Sequence, residues 1–293
     1  GVIAVGTVGT AIAQWIGGNF FEPVYPEWPW AMHKNFAGSM LALGAFIAFI
    51  NPDWARLSPR WMRYAFWGFL FALLLTQSRQ AAIGLAVALV FTIARQRTGR
   101  HVLLMVAIIV PGSILVVQSV IEQVESQNEF NSFYQRVDWL REVYALWKLS
   151  PLVGHGLRYW YVHEWANFQP PQAEVEVLAS AGVVGLAGFI VMWAVILVVL
   201  WRVDPRFGML AFGVMLLRIV QAQFDLFWVA AQVSIPFLIV GICLGAQAAA
   251  REAMDDPPPI WAERRPRGRR GRKASHSHRA LERAGIVDEE ASV

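Results

Sequence analysis

Arg79 stands alone between two apolar runs, in the stretch LLLTQSRQAAIG (residues 73–84). A guanidinium at the end of a membrane-length apolar run costs free energy unless it is paired or reaches the interface. Arg79 therefore admits two readings: an ordinary snorkelling cation, or an anion site facing a cavity. Arg136 opens the stretch RVDW. A solvated charge or a local ion pair would account for it. So would a place beside Arg79 in a clamp for diphosphate, because the planar guanidinium makes two parallel charge-assisted bonds to phosphate oxygens. Arg141 and Arg158 are further cations on the same segment. Arg141 lies about 140° from Arg136 around a helix, so these two are not expected to serve one site. Glu174 and Glu176 open a long apolar run. Two positions on a helix are about 200° apart, so at most one is expected to face a given cavity. Glu174 shares a face with Leu178, Ala181 and Gly185, and Glu176 with Ser180 and Val183. The helix dipole alone would also favour acids at that place. His155 and His163 are candidate bases, because histidine can act as one near neutral pH, although a lone loop histidine is more often neither acid nor base.

The elements that must hold these groups are membrane spans. The chain has 293 residues, 56% of them hydrophobic and 16% charged, against about 25% charged in a typical soluble domain. Long apolar runs alternate with short arginine-bearing gaps, and tryptophans such as Trp15, Trp28, Trp30, Trp54, Trp61, Trp201 and Trp228 stand at run ends, where indole favours the headgroup level. The pattern predicts an all-α polytopic membrane bundle of about eight spans, over 1–16, 33–50, 61–76, 80–94, 101–121, 175–200, 207–220 and 229–248. The first, third, fourth and seventh fall short of the roughly 20 residues a bilayer needs, which leaves re-entrant or interfacial segments open among them. If the spans alternate, Arg56, Arg60 and Arg63, then Arg95, Arg97 and Arg100, then Arg202 and Arg206, and finally the C-terminal tail, all lie on one side. The positive-inside rule makes that side cytoplasmic, with both ends of the chain there. Residues 17–32, 77–79, 122–174 and 221–228 fall on the other side, which makes Arg79 a cation on the face that disfavours cations. Within the long outer segment, Val137, Leu140, Tyr144 and Trp147 recur at spacings of three and four, the pattern of an amphipathic helix over 133–149 between spans five and six. Pro151, Gly154 and Gly156 then break it, and Pro170-Pro171 marks the turn before the sixth span.

The organisation expected is a membrane domain over 1–250, with its outer loop at 122–174, and a tail over 251–293. The tail holds Arg251, Arg264, Arg265, Arg267, Arg269, Arg270, Arg272 and Lys273 among prolines. Such a composition does not bury a core and is expected to be disordered. Anionic lipid headgroups on the cytoplasmic leaflet explain its charge more simply than nucleic acid, which is not expected as a partner. Ser275-His276-Ser277-His278 reads as solvated rather than as a metal site. The one cysteine, Cys243, lies in an apolar run and allows no internal disulfide. The start is apolar without a basic leader, so it does not read as a signal peptide, and spans preceding Gly1 would be consistent with it.

Three stretches together resemble the O-antigen ligase and O-antigen polymerase superfamily of bacterial envelope glycosyltransferases. Residues 73–84 resemble its span ending in a Ser-Arg turn before a small-residue helix. RVDWLREVYALWKLSPLVGHG (136–156) resembles its outer-loop helix with a Pro-x-x-Gly-x-Gly ending, and QAEVEVLASAGVVGLAG (172–188) its Leu/Ala-rich entry to the next span. HKNFA (33–37) is a weaker match. The resemblance covers about residues 30–200, and the order and spacing of these stretches carry it. It implies transfer of a glycan from a polyprenyl-diphosphate carrier to a hydroxyl of a glycan or glycolipid acceptor, outside the bacterial cytoplasmic (inner) membrane. No metal, cofactor or nucleotide sugar is implied. Arg79 and Arg136 would neutralise the leaving diphosphate, with Arg158 and Gln172 as further substrate contacts. Members commonly carry His-Asn just before the Leu/Ala-rich helix, where this chain has Pro171-Gln172. The base would then be Glu174 first, or His163 second. Two other readings stay open: a catalytically silent member that binds lipid-linked glycan or scaffolds envelope synthesis, which the missing histidine favours, and a transporter or flippase, against which stands the absence of an inverted repeat.

Overall fold

The computed structural model describes residues 1–20, 22–96, 132–162, 169–226 and 230–255. Among these residues every regular element is helical. The elements are α1 (Val2–Ile16), α2 (Lys34–Ile50), a 3-10 turn (Asp53–Ala55), α3 (Pro59–Thr76), α4 (Arg79–Gln96), α5 (Ser132–Leu149), α6 (Tyr159–Val162), α7 (Ala173–Arg202), α8 (Pro205–Gln221) and α9 (Ala230–Asp255). The span expected at 101–121 lies outside the described residues, as does the tail from 256 on. The chain divides into one unit over Gly1–Gln247 and a second over Ala248–Val293, whose described part is the end of α9.

Local sequence sets the helix ends. Pro59 and Pro205 occupy first-turn positions, where the missing N–H leaves no intrahelical bond unmade. Asp204 caps α8 by accepting from the Arg206 N–H at 2.9 Å. His33 caps α2, its Nδ1 accepting from the Asn35 N–H at 3.2 Å. Thr7, Thr76 and Thr92 donate their hydroxyls back to carbonyls of their own helices. A hydroxyl buried among apolar helices has little other recourse.

The core of the first unit forms around α8. Phe207, Met209, Leu210, Ala211, Val214, Met215 and Leu217 are all buried. Gly213 lets the Phe46 ring of α2 lie against the α8 backbone, and Gly84 lets α4 approach closely: a Cβ there would sit 3.0 Å from Gln221 Cγ and 3.1 Å from the Leu217 carbonyl. The outer surface is as apolar as the core. On α7, Val183, Val184, Ile190, Val191, Met192, Val195, Val198 and Val199 are exposed, and on α3, Trp61, Tyr64, Trp67, Phe71 and Leu74 are. Exposed apolar surface of this extent marks a face for a membrane or another apolar partner.

Among the described residues, two helices are long and apolar enough to cross a membrane: Ala173–Arg202 and Ala231–Glu252. Val2–Ile16 and Lys34–Ile50 are apolar but shorter. Compared with the sequence expectation, α7 begins two residues earlier and α9 runs on to Asp255, into the stretch expected to be tail. Arg79 is the first residue of α4 rather than part of the turn before it.

The helices alternate so that polar connections gather at two ends. At one, Trp54 Nε1 donates to the Arg206 carbonyl at 3.2 Å. There Arg95 Nη2 also donates to the Trp201 and Val203 carbonyls at 2.6 and 3.3 Å, its guanidinium 4.3 Å from the Trp201 ring. At the other, the Val24 N–H donates to the Leu75 carbonyl and the Ala173 N–H to the Ala222 carbonyl.

One connection is built through a broken helix. Within α7, Gly182 has φ 66° and ψ −167°, which interrupts the helix. The loop Pro151–Gly156 inserts at the break. The His155 and Gly156 N–H groups donate to the Ala179 and Ser180 carbonyls, and the Val183 and Val184 N–H groups donate to the Pro151 and Leu152 carbonyls. The backbone groups freed by the break are thus satisfied by the loop. The loop follows α5, whose Val143 and Leu146 pack with Ala179 and Tyr159, so the insertion fixes α5 against α7.

Candidate functional site

The second of the two ends collects most of the polar side chains that the helices bury. The turn between α3 and α4 has Gln77 in the left-handed region, φ 51°. It leads to Ser78, which is buried, and to Arg79, which is exposed at the first position of α4. The neighbouring Gln80 is buried and donates from Nε2 to Asp225 Oδ2 at 2.6 Å. Asp225 lies in the turn after α8 and within electrostatic reach of Arg218. Arg218 is 2% exposed, and its Nη2 donates to the Leu226 carbonyl at 3.1 Å. A cation at the last turn of a helix also suits the dipole there.

The same turn reaches the start of α7. Gln223 Nε2 donates to Glu174 Oε1 at 2.7 Å, beside the backbone bond from Ala173 to Ala222. Residues 222–226 therefore hold the start of α4, with Arg79, and the start of α7, with Glu174, at one end of the unit. Glu176 faces elsewhere. It is 4% exposed and accepts from Gln169 Nε2 at 2.5 Å. The two acids thus have separate surroundings, as their angular spacing requires. Gln172 is the residue before α7 and makes no side-chain cap. It lines a shallow crevice with Trp139, Leu140, Pro170, Pro171 and Val175. This crevice, between α5 and α7, is where Pro171-Gln172 stands in place of His-Asn.

Arg136 lies in α5, and its side chain is outside the described residues, as is all of His163. Arg158 is exposed in the turn before α6. Arg141 pairs with Asp138 at 3.1 Å on the surface of α5. His155 serves the loop insertion: its Nε2 lies 2.8 Å from the Leu146 carbonyl, which requires the proton on that nitrogen. Among the described residues no group of three His, Cys, Asp or Glu is placed to hold a metal ion.

Sequence reasoning did not single out Gln80, Arg218, Gln223 and Asp225. A signal existed for two of them. Arg218 is a guanidinium inside an apolar run, and Asp225 is the one acid in the short turn that follows. An ionisable residue in a membrane helix is a functional-site hypothesis by default.

Comparison with known proteins adds the family. No curated protein matches the chain. Residues 64–190 match the model of the family described as O-antigen ligase. That stretch runs from α3 into α7 and contains Arg79, the α5 helix with Arg136, the inserted loop and Glu174. Over residues 64–190 the chain is thus similar to the O-antigen ligase family.

Proposed function

We propose that this chain transfers a glycan from a polyprenyl-diphosphate carrier to an acceptor hydroxyl on the outer face of the bacterial cytoplasmic membrane. The observation that most supports the reading is the turn 222–226, which joins the Arg79 and Glu174 helix starts at one end of a unit whose outer surface is apolar. In the reaction, the acceptor oxygen attacks the anomeric carbon, the bond from that carbon to the diphosphate oxygen breaks, and the polyprenyl diphosphate leaves. Arg79 and Arg136 neutralise the charge that develops on the leaving group. Glu174 takes the hydroxyl proton, its carboxylate oriented by Gln223; His163 is the other candidate. Arg158 and Gln172 are further substrate contacts. An assisting base contributes about 10²–10⁴-fold.

The end carrying Arg56, Arg95 and Arg202 faces the cytoplasm in this proposal, by the positive-inside rule. The outer loop and the Arg79 turn then face outward, and the basic tail meets anionic lipid.

Expression in a strain lacking its own gene for this step tests the reading. Glycan attachment should fall at least about 10²-fold for Arg79→Ala and for Arg136→Ala, and about 10²-fold for Glu174→Gln. If both arginine variants transfer as well as wild type, the site is wrong. Pro171-Gln172 at the His-Asn position favours the second reading, a silent member that binds lipid-linked glycan. Wild-type protein that binds the carrier and transfers nothing would establish that one.

A further inference from the structure

Lys34 is the first residue of α2, and its place relative to Arg79 is fixed by a close helix contact. One turn further along α2, Gly38 lies against Ser78: a Cβ on Gly38 would be 2.7 Å from Ser78 Oγ and 3.2 Å from Thr76 Oγ1. Side chains four apart lie on one helical face and lean toward the helix N-terminus. The Lys34 side chain therefore runs past the Gln77-Ser78-Arg79 turn, and the Arg79 guanidinium is within electrostatic reach of its ammonium. Lys34 is partly buried, and its ammonium lies 5.8 Å from the centroid of the Tyr25 ring. That ring also meets His33 edge-on, at 5.5 Å. No carboxylate among the described residues stands within salt-bridge distance of Lys34. Ser78, the residue before Arg79, is 3% exposed and its hydroxyl has no hydrogen-bond partner among the described atoms.

Two like charges from different helices, held together by a glycine contact, repel each other unless an anion lies between them. A buried hydroxyl without a partner also costs free energy until something accepts from it. We propose that Lys34 is a second cationic ligand of the anion that Arg79 binds, the diphosphate of the lipid carrier, with Lys34 and Arg79 contacting it beside Ser78. This assignment rests on the reading of Arg79 given above. It adds a residue of α2 to a site otherwise drawn from α4, α5 and α7. The Tyr25 ring steadies the lysine stem and keeps the charge near the site. The anion is then bound on the α2–α4 side of the unit, away from Glu174, as donor and base must be for an acceptor to enter between them.

The chain has three lysines, Lys34, Lys148 and Lys273, which makes amine acylation a direct probe. The whole wild-type chain, in nanodiscs of zwitterionic lipid, is acylated with and without a polyprenyl diphosphate. Lys34 should be protected at saturating carrier and Lys148 should not. Equal acylation of Lys34 in both conditions overturns the proposal. Protection by phosphatidylglycerol alone, or by inorganic pyrophosphate alone to the same extent, also overturns it, because the contact would then be to a headgroup or a free anion. Binding of the carrier should weaken about tenfold or more in Lys34→Gln and stay within roughly threefold of wild type in Lys34→Arg, which keeps the charge. Arg79→Gln, measured alongside, separates the two claims. If it weakens binding while Lys34→Gln binds as wild type, the Lys34 assignment fails and the Arg79 site stands. If neither weakens binding, the diphosphate reading itself fails. Should Lys34→Gln not fold, acylation of the wild-type chain decides.

Discussion

Asp225 is joined to two helices at once, by a 2.6 Å bond from Gln80 and by the charge of Arg218. Removing its carboxylate leaves the buried Gln80 amide without that acceptor and the buried Arg218 without a nearby opposite charge. Asp225→Ala should therefore destabilise the chain by about 1–3 kcal/mol, read as a lower melting temperature in detergent. It should also loosen the start of α4 and raise the KM for the donor. Asp225→Asn keeps an acceptor for Gln80 and should recover part of the stability. Unchanged melting and transfer in Asp225→Ala would remove this network from the site. At this scale the sequence shows types and not partners. Arg79 and Glu174 are legible because charges at the ends of apolar runs are conspicuous. Gln80, Gln223 and Asp225 are not, because each has meaning only through a residue on another helix (Gln80 with Asp225, Gln223 with Glu174). Lys34 is visible as part of HKNFA, yet its nearness to Arg79 depends on the Gly38–Ser78 contact, which no local pattern encodes.

The inserted loop is the element on which the outer half of the site depends. Gly182 takes a backbone conformation that is essentially restricted to glycine, and a Cβ on it would collide with the Leu152 backbone. Gly154, at φ 68°, meets the Ser180 backbone in the same way. Gly182→Ala should cost about 3 kcal/mol or more, and should release α5 and so reduce transfer. Gly188→Ala makes the control, because open space surrounds that position. There the change should leave transfer intact and raise stability by about 0.5–1 kcal/mol. Melting temperatures and transfer rates of the two variants check both statements; equal behaviour would sink the argument. The breakers Pro151, Gly154 and Gly156 predict where α5 ends. Their docking is not legible, because Gly182 sits in an apolar run that reads as one continuous span.

At the scale of the whole molecule, the proposed sidedness has a direct readout. In a Cys243→Ala background, Arg158→Cys should react with a membrane-impermeant maleimide in intact cells, and Arg56→Cys only after permeabilisation. The opposite pattern would invert the topology and put Arg79 on the wrong side for an external reaction. The all-helical character is legible from apolar runs alone. The number of crossings is less so, because α1 and α2 have 15 and 17 residues and are shorter than a bilayer needs.

The break at Gly182 also acts as a depth mark. From 183 to the end of α7 at Arg202, 20 residues remain, a rise of about 30 Å, which equals the hydrocarbon thickness of a typical bilayer. In the proposed orientation the apolar slab would begin at the break, and the part of α7 before it would stand in the headgroup layer. Glu174, eight residues before the break, would then lie above that boundary, near the level of the lipid phosphates. On this geometry no aqueous passage through the bilayer is needed. In the proposed reaction the isoprenoid tail would stay dissolved in hydrocarbon while the bond to be broken surfaces beside the polar groups. Membranes much thinner or thicker than that slab should lower transfer without touching a single site residue.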